Sequence, residues 1–401
     1  MADVQAGHYD IAIVGGGPVG AALALALRDS GFSIALLESK TDLTTRDPRA
    51  LALSQGTRLI LERLGAWPGT AATPIETIHV SQAGRFGRAV LRADQLGVPA
   101  LGYTAAFGEL SGALHATLAG SLPSSGATLI AGARVTAVRP AAGCGLVEYL
   151  LKDARQAGPD GVARALTARL IVLADGGRSL PGTTLSKDYG QSAVICTVHT
   201  ESPHAGRAYE RFTPRGPIAL LPLGDAYALV WTTPAGQVEA RLQADDASFL
   251  TELGEVFGNR QGRFLSAGPR TAFPLRLTTQ TGTDQPGLVR IGNAAQTLHP
   301  VAGQGFNLGL RDAWWLAETV LDSPRESLGS AASLARYRQR RRIDVTGGIA
   351  VTDLLVEVFS HDWPLLSGAI AQAGGLALTA MDLLPALKNA FARKMMFGAQ
   401  A

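Results

Sequence analysis

The sequence predicts an α/β protein in which a parallel-sheet domain is discontinuous along the chain, a mainly antiparallel β-sheet domain is inserted into it, and a helical segment ends the chain. Three observations predict this. Residues 9–14 form an apolar run that passes through Gly15-Gly16-Gly17-Pro18-Val19-Gly20 into an Ala- and Leu-rich stretch. Far downstream, residues 291–312 again carry a short apolar run through closely spaced glycines into a helical pattern. Between the two passages, residues 189–286 switch to short alternating runs separated by Pro-rich turns, the texture of antiparallel strands.

Taken in order, Tyr9-Asp10-Ile11-Ala12-Ile13-Val14 reads as a strand and residues 21–27 as a helix, which puts the first glycines in a strand-to-helix turn. In such a turn Gly15 permits the tight reversal, Gly17 lets the backbone approach a pyrophosphate, and Gly20 lets the helix pack on the strand. Pro18 suits the first helical position, and the helix N-terminal amides meet phosphate charge. Ser33-Ile34-Ala35-Leu36-Leu37 gives a second buried strand ending in Glu38, an acid at the distance expected for holding a ribose hydroxyl. A glycine-rich turn beside an incidental surface Glu is the alternative.

Asp47-Pro48-Arg49-Ala50-Leu51-Ala52-Leu53-Ser54 precedes an amphipathic helix with Leu59, Ile60 and Leu64 inward and Gly65 as its stop. Arg49 then stands at the helix entrance, where its guanidinium can meet a cofactor's phosphate or ring edge, or pair locally with Asp47. The continuous apolar run Leu170-Ile171-Val172-Leu173-Ala174 reads as a buried parallel strand that delivers Asp175, Gly176 and Gly177 to its carboxyl end, where ligand crevices open. Asp175 also has a plain reading as a turn residue before glycine. Strands are expected at residues 193–198, 208–212, 218–223 and 226–231, with residues 75–98 adding to the same layer, which would roof a substrate.

The second glycine passage offers Gly292 and Asn293 after its strand, and Pro300, Gly303, Gln304, Gly305, Phe306 and Asn307 at its helix entrance. Two grips so far apart imply one long dinucleotide held at both ends, FAD, and so a Rossmann-like FAD-binding domain. Its parts are expected at residues 1–74, 99–188 and 287–344, the substrate domain at 75–98 and 189–286, and the C-terminal helical segment at 345–401.

At 401 residues and 46% hydrophobic content the chain can bury a substantial core. Its 36 Lys and Arg against 33 Asp and Glu leave a net charge of only +3, and no clustered aromatics support a nucleic-acid partner. Cys144 and Cys196 lie far apart without metal-ligand spacing, which fits free thiols in a reducing compartment. The start of the chain has no charged n-region with a cleavage site, so a cytoplasmic protein is expected. The apolar stretch at 365–381 falls short of the roughly 20 residues that span a bilayer and reads as packed or interfacial helix, which leaves peripheral contact with the inner membrane open. There is no G-x-S-x-G elbow, no H-E-x-x-H and no histidine pair at metal-ligand spacing, so no acid, base, nucleophile or metal ligand is assigned. His299 is the one histidine placed near the cofactor, where it is expected as a loop histidine satisfied by backbone. Arg336, Arg338, Arg340, Arg341 and Arg342 are expected on the solvated face of a helix, with contact to anionic lipid or protein as the alternative.

On these residues the chain resembles the group A FAD-dependent aromatic hydroxylases over essentially its whole length, and among them the ubiquinone-biosynthesis branch. The resemblance is carried by Gly-Asn-Ala-Ala-Gln-Thr-Leu-His-Pro at 292–300 and Gly-Gln-Gly-Phe-Asn-Leu-Gly at 303–309. Asp47-Pro48-Arg49-Ala50, Ala208-Tyr209-Glu210-Arg211-Phe212 and Val351-Thr352-Asp353-Leu354-Leu355 support it. Asn293 and Gln296 stand where the broader superfamily usually has Asp and His. The chain departs from the family at Ala105-Ala106-Phe107-Gly108-Glu109, where an Arg near the flavin is frequent, and at Ser179-Leu180-Pro181-Gly182, where S-x-x-R is frequent.

The resemblance implies a monooxygenase. A donor, NAD(P)H or another reductant, reduces FAD; O2 then gives a flavin hydroperoxide, whose distal oxygen is attacked by the ring of a hydrophobic prenylated methoxyphenol. Other ubiquinone-biosynthesis proteins are the implied partners. A hydroxylase of another ring position in the same pathway and a noncatalytic FAD-fold assembly subunit are the alternatives, and intact glycines at both grips weigh against the second.

Overall fold

Ile11, Ala12 and Ile13 are fully buried and their side chains carry no polar atom, so the strand they occupy, Gly7–Val14, belongs inside a sheet covered on both faces. A computed structural model, which describes residues 7–45, 47, 49–84, 86–152, 161–178, 183–281, 285–297, 304–360, 375, 378–380 and 382–398, places it there. Gly7–Val14 pairs in parallel with Ile34–Glu38 on one side and Val162–Leu173 on the other, and Ala127–Ala131 extends the parallel set. Val162–Leu173 has a divided edge. Its first half carries the antiparallel hairpin of Gly145–Leu151 and Ala133–Arg139, and its last three residues accept Leu288–Arg290 in parallel. That last pairing brings the late glycine passage alongside the early one.

Helices Pro18–Ala26 and Gln304–Leu321 cover one face of this sheet, burying Leu23, Leu25, Leu310 and Leu316 against Ile11, Ile13 and Leu36. Each such leucine contributes about 1.5–3 kcal/mol by leaving water. The two helices meet at a seam of small residues: a Cβ at Gly309 would lie 3.1 Å from Val19 Cγ2, and one at Gly292 would lie 3.3 Å from both Val19 methyls. Larger residues there would push the two glycine passages apart.

The second sheet runs in the order 296–297, 271–281, 183–200, 226–234, 216–223, 207–213, 77–82, 88–92, with 264–267 also on strand 183–200. All its pairings are antiparallel except that of Arg207–Thr213 with Thr77–Gln82. Alternation along these strands divides the sheet into two faces. Val194, Tyr209, Ile218, Tyr227 and Trp231 point to one face, which is covered by Phe249, Leu253 and Phe257 of helix Asp246–Phe257. Val80, Glu210, Ala219, Val230 and Phe273 belong to the other face by register.

Two local expectations are corrected. Arg49 does not stand at a helix entrance, because Ala50–Ser54 forms a strand against Gly102–Ala106 before helix Gln55–Leu64 begins. That helix buries Thr57, Leu61 and Leu64, spaced by about one helical turn, and this turns Leu59 outward at 45% exposure. Gly65 stops the helix as expected, at φ +75°.

The arginine run is the larger correction. It lies on helix Ala331–Ser360, but Arg341 points inward and its Nε donates to Oδ1 of the fully buried Asp312 at 2.8 Å. Arg311 and Asp344 form a second buried pair beside it. Arg340 reaches Glu318, and Arg336 reaches the Ser323 hydroxyl. Helix Pro385–Phe397 packs Ala392 and Met396 on Leu91 and Leu101, while most of residues 365–381 lies outside the described residues. Among the described residues no helix is long and apolar enough to cross a membrane.

Asp312→Ala would leave Arg341 buried without its countercharge. It should cost about 3–5 kcal/mol in chemical denaturation, whereas Arg340→Ala, which removes a partly exposed pair, should cost about 1 kcal/mol or less. Equal effects of the two substitutions would show that burial does not set the difference.

Candidate functional site

Backbone conformation builds the first glycine turn. Gly15 has φ +105°, a region that L-residues avoid, and a Cβ there would lie 2.7 Å from the backbone of Ala174. A Cβ at Gly20 would come within 2.0 Å of the Gly15 carbonyl oxygen. Gly17 differs, because a Cβ built there meets no described protein atom within 4 Å. It caps helix Pro18–Ala26 in an extended conformation without a side-chain cap, and Pro18 occupies the first turn. The first-turn amides therefore face outward, and the positive end of the helix dipole suits a phosphate.

Glu38 ends its strand beside this turn. Its Oε2 accepts from the Gly16 amide at 2.8 Å and its Oε1 from the Lys40 amide at 2.9 Å, which fixes the carboxylate where a ribose hydroxyl can donate to it. His115 Nε2 donates to the Gly16 carbonyl at 2.7 Å, tying helix Phe107–Ser121 to the turn. Across the crevice, Asp175 and Gly176 follow the strand Val162–Leu173. Asp175 Oδ1 accepts from the Gly177 amide at 3.0 Å, and Gly176 turns the chain at φ +76°.

The second grip starts where Ile291 continues the sheet, its amide donating to Leu173 at 3.0 Å. Gly292 then turns at φ +57°, and its amide donates to Asp312 Oδ2 at 3.0 Å. Burial raises the Asp312 carboxyl above the usual range, against the lowering effect of Arg341 and the Gly292 amide. Arg341 also bonds Gln296, so one buried cluster fixes both ends of the turn. Asn293, between them, has an exposed side chain. Gln304, Gly305 and Phe306 open helix Gln304–Leu321, and a Cβ at Gly305 would meet no described protein atom within 4 Å. The outward amides at Gly17, the placed acceptor at Glu38, and the open surfaces at Asn293 and Gly305 fit a long dinucleotide with a phosphate centre and a hydroxyl-bearing end.

Not every expected residue faces this cleft. The side chain of Asn307 is turned inward: Oδ1 accepts from Ser54 N at 2.8 Å and Thr57 Oγ1 at 2.7 Å, and Nδ2 donates to Ala52 O at 2.9 Å. It fastens the strand Ala50–Ser54 to the late helix because a buried amide satisfies donors and an acceptor together. Arg49 takes its local partner, donating from Nε to Asp47 Oδ1 at 2.9 Å, and its guanidinium lies over the rings of Phe107 and Phe273. Pro300, Gly303 and His299 lie outside the described residues.

Through Phe273, Arg49 also touches the second sheet. Phe273, under its guanidinium, shares a sheet face with Glu210, which register sets between Val80 and Ala219. Among the described residues no group bonds or pairs with the Glu210 carboxyl, and burial pushes it up to about 7. The motif Ala208–Phe212 does not by itself single out Glu210, although strand alternation separates it from Tyr209 and Arg211. Asp312 was legible too: it falls four residues after Leu308 and four before Leu316, on a buried stripe where a charge needs a partner. His115 carried no comparable signal.

A family model described as an FAD binding domain matches residues 8–347. The chain is 35% identical to ubiquinone hydroxylase UbiL of Rhodospirillum rubrum, over 96% of its own length and 89% of that protein's. It is 32% identical to 3-demethoxyubiquinol 3-hydroxylase of Escherichia coli, over 89% of its own length and 91% of that protein's. Among solved structures, p-nitrophenol 4-monooxygenase of Pseudomonas putida superposes with a TM-score of 0.76 at 16% identity, covering 98% of this chain and all of that one, a likeness of fold.

Gly305 gives a direct test of the dinucleotide cleft. Gly305→Val adds a side chain where no described protein atom lies within 4 Å, so thermal stability should hold to within about 1 kcal/mol. FAD affinity, measured by flavin fluorescence titration, should fall about tenfold or more as the branched side chain meets the cofactor. Unchanged FAD affinity would place Gly305 outside the cleft.

Proposed function

The chain belongs to the FAD binding domain family, and from that premise we propose that it hydroxylates the aromatic ring of a polyprenylated methoxyphenol on the route to ubiquinone, at the carbon para to the phenolic hydroxyl. The names of the two bacterial relatives support the pathway. The observation that carries the chemistry is Glu210, a carboxyl without a partner among the described residues, on the apolar sheet face that also bears Phe273.

Bound FAD, reduced by NAD(P)H or another donor, supplies the activation of O2. The protein's own contribution is to hold, orient and keep dry. Gly17, Glu38 and Asn293 hold the cofactor along its length. Val80, Ala219, Val230 and Phe273 offer an apolar face to the ring, and a carboxylate oxygen of Glu210 accepts the hydrogen of the phenolic hydroxyl. Losing that proton makes the phenolic oxygen a stronger electron donor to the para carbon. A phenol of Tyr type ionises near about 10, so a carboxylate raised to about 7 is a better matched base than an ordinary one.

As a base, Glu210 works ionised, so turnover should rise with pH through about 7. Glu210→Gln should abolish that limb and lower kcat by about a hundredfold, with FAD content retained. An unaltered pH profile in the variant would remove Glu210 from the proton path.

The reaction is tested by incubation with the phenol, a reductant and labelled O2. One labelled oxygen should appear at the para carbon. Incorporation at another carbon would reassign the ring position, and release of peroxide alone would reject this phenol as substrate.

A further inference from the structure

A concavity of about 350 Å3 opens on the other face of the large sheet, away from Glu210. Its lining includes Arg88, Arg92, Arg207 and Arg260 around His79 and Tyr209. Register gathers them: His79 pairs with Tyr209 on one side, Thr77 lies between Arg207 and Arg92, and Ser81 faces Arg88. Arg260 arrives from the segment after helix Asp246–Phe257.

The charge of this pocket is one-sided. Arg92 is paired with Asp94 at 2.7 Å, but among the described residues Arg88, Arg207 and Arg260 have no carboxylate partner. His79, only 7% exposed, has its Nε2 at 3.1 Å from Arg260 Nη1. A guanidinium only donates, so Nε2 accepts and the ring hydrogen sits on Nδ1. That Nδ1 is buried and finds no partner among the described residues. Burial first, and then Arg260, Arg88 and Arg207, push His79 down to about 4. It therefore gives no positive charge at neutral pH, yet the guanidiniums beside it stay uncompensated. The groups lining the pocket with it are those arginines and the phenol of Tyr209; of the acids at its edge, Asp94 is occupied by Arg92, and Glu76 stands beside Gly206 with no ion pair to Arg207 among the described residues.

We propose that this pocket binds a phosphate group, borne by a small molecule or a lipid headgroup, through Arg88, Arg207 and Arg260. Three guanidiniums brought from two strands and a loop suit an anion with acceptor oxygens in several directions. A planar carboxylate engages one such fork and leaves the others unmatched. Glu210 follows Tyr209 on the same strand but points to the opposite face, so the phosphate site is distinct from the hydroxylation site and does not rest on the proposed reaction.

The FAD-loaded full chain can be titrated with inorganic phosphate, against chloride at matched ionic strength, by calorimetry and by the imidazole resonances of His79. Saturable phosphate binding is expected, with the titration of His79 moved upward from about 4 as the bound anion offsets the arginines. The double variant Arg88→Gln/Arg260→Gln should bind phosphate about tenfold or more weakly while keeping its FAD and its turnover. If that variant loses FAD, the His79 shift in the unaltered protein still decides. Vesicles of phosphatidylglycerol and of phosphatidylcholine, with glycerol 3-phosphate beside them, separate the two sources. Retention on phosphatidylglycerol that phosphate competes away assigns a lipid headgroup, and glycerol 3-phosphate binding without vesicle retention assigns a soluble ligand. No saturable phosphate binding, equal displacement by chloride, or unchanged binding in the double variant would overturn the site.

Discussion

The buried carboxylate of Asp312 joins parts of the molecule that the chain keeps far apart. One oxygen takes the Gly292 amide and the other takes Arg341, so the turn of the second grip, the helix behind it and the following helix are fixed by a single group. Taking that charge out of water is costly, and the cost is offset only because both oxygens are bonded and the countercharge is also largely buried. The arrangement therefore tolerates little displacement. It holds Gly292 against Val19, and Val19 belongs to the helix that follows the first glycine turn, so the two glycine passages proposed to hold FAD are registered by protein contacts.

Asn307 extends the same logic to the strand Ala50–Ser54, whose neighbouring segment brings Arg49 over Phe107 and Phe273. Asn307 and Arg49 are both claimed by protein partners, which leaves backbone and glycine, beside Glu38 and Asn293, as the surfaces open to a ligand. This suits a protein whose cofactor carries the difficult chemistry, since amides and open glycine faces grip a dinucleotide without adding reactive side chains.

The large sheet serves two environments with one strand. Along Arg207–Thr213, even-numbered positions present Glu210 to the apolar face that bears Phe273, and odd-numbered positions present Arg207 and Tyr209 to the cationic pocket on the opposite side. A single-residue slip would exchange them, placing a carboxylate among arginines and a guanidinium on the apolar face. Register is thus as consequential for the electrostatics of this sheet as for its packing.

The sequence by itself determined what depends on local backbone chemistry. The strand-to-helix turn at Gly15 to Gly20, the acid at Glu38, the buried run at 170–174, the stop at Gly65 and the change to antiparallel strands all follow from steric demands and periodicity within short windows, as did the FAD-binding α/β fold. Tertiary structure decided which polar side chains face ligand and which face protein. Asn307 stands among ligand-facing glycines yet turns inward, Arg341 stands in a charged run yet is largely buried, and Arg49 is claimed by Asp47. Helical or strand position fixes only the direction of a side chain. What it meets is set by how the elements pack: Asn307 meets a helix 250 residues earlier, Arg341 the preceding helix and Arg49 its own loop, and for a buried charge the partner decides whether the position is tolerable at all.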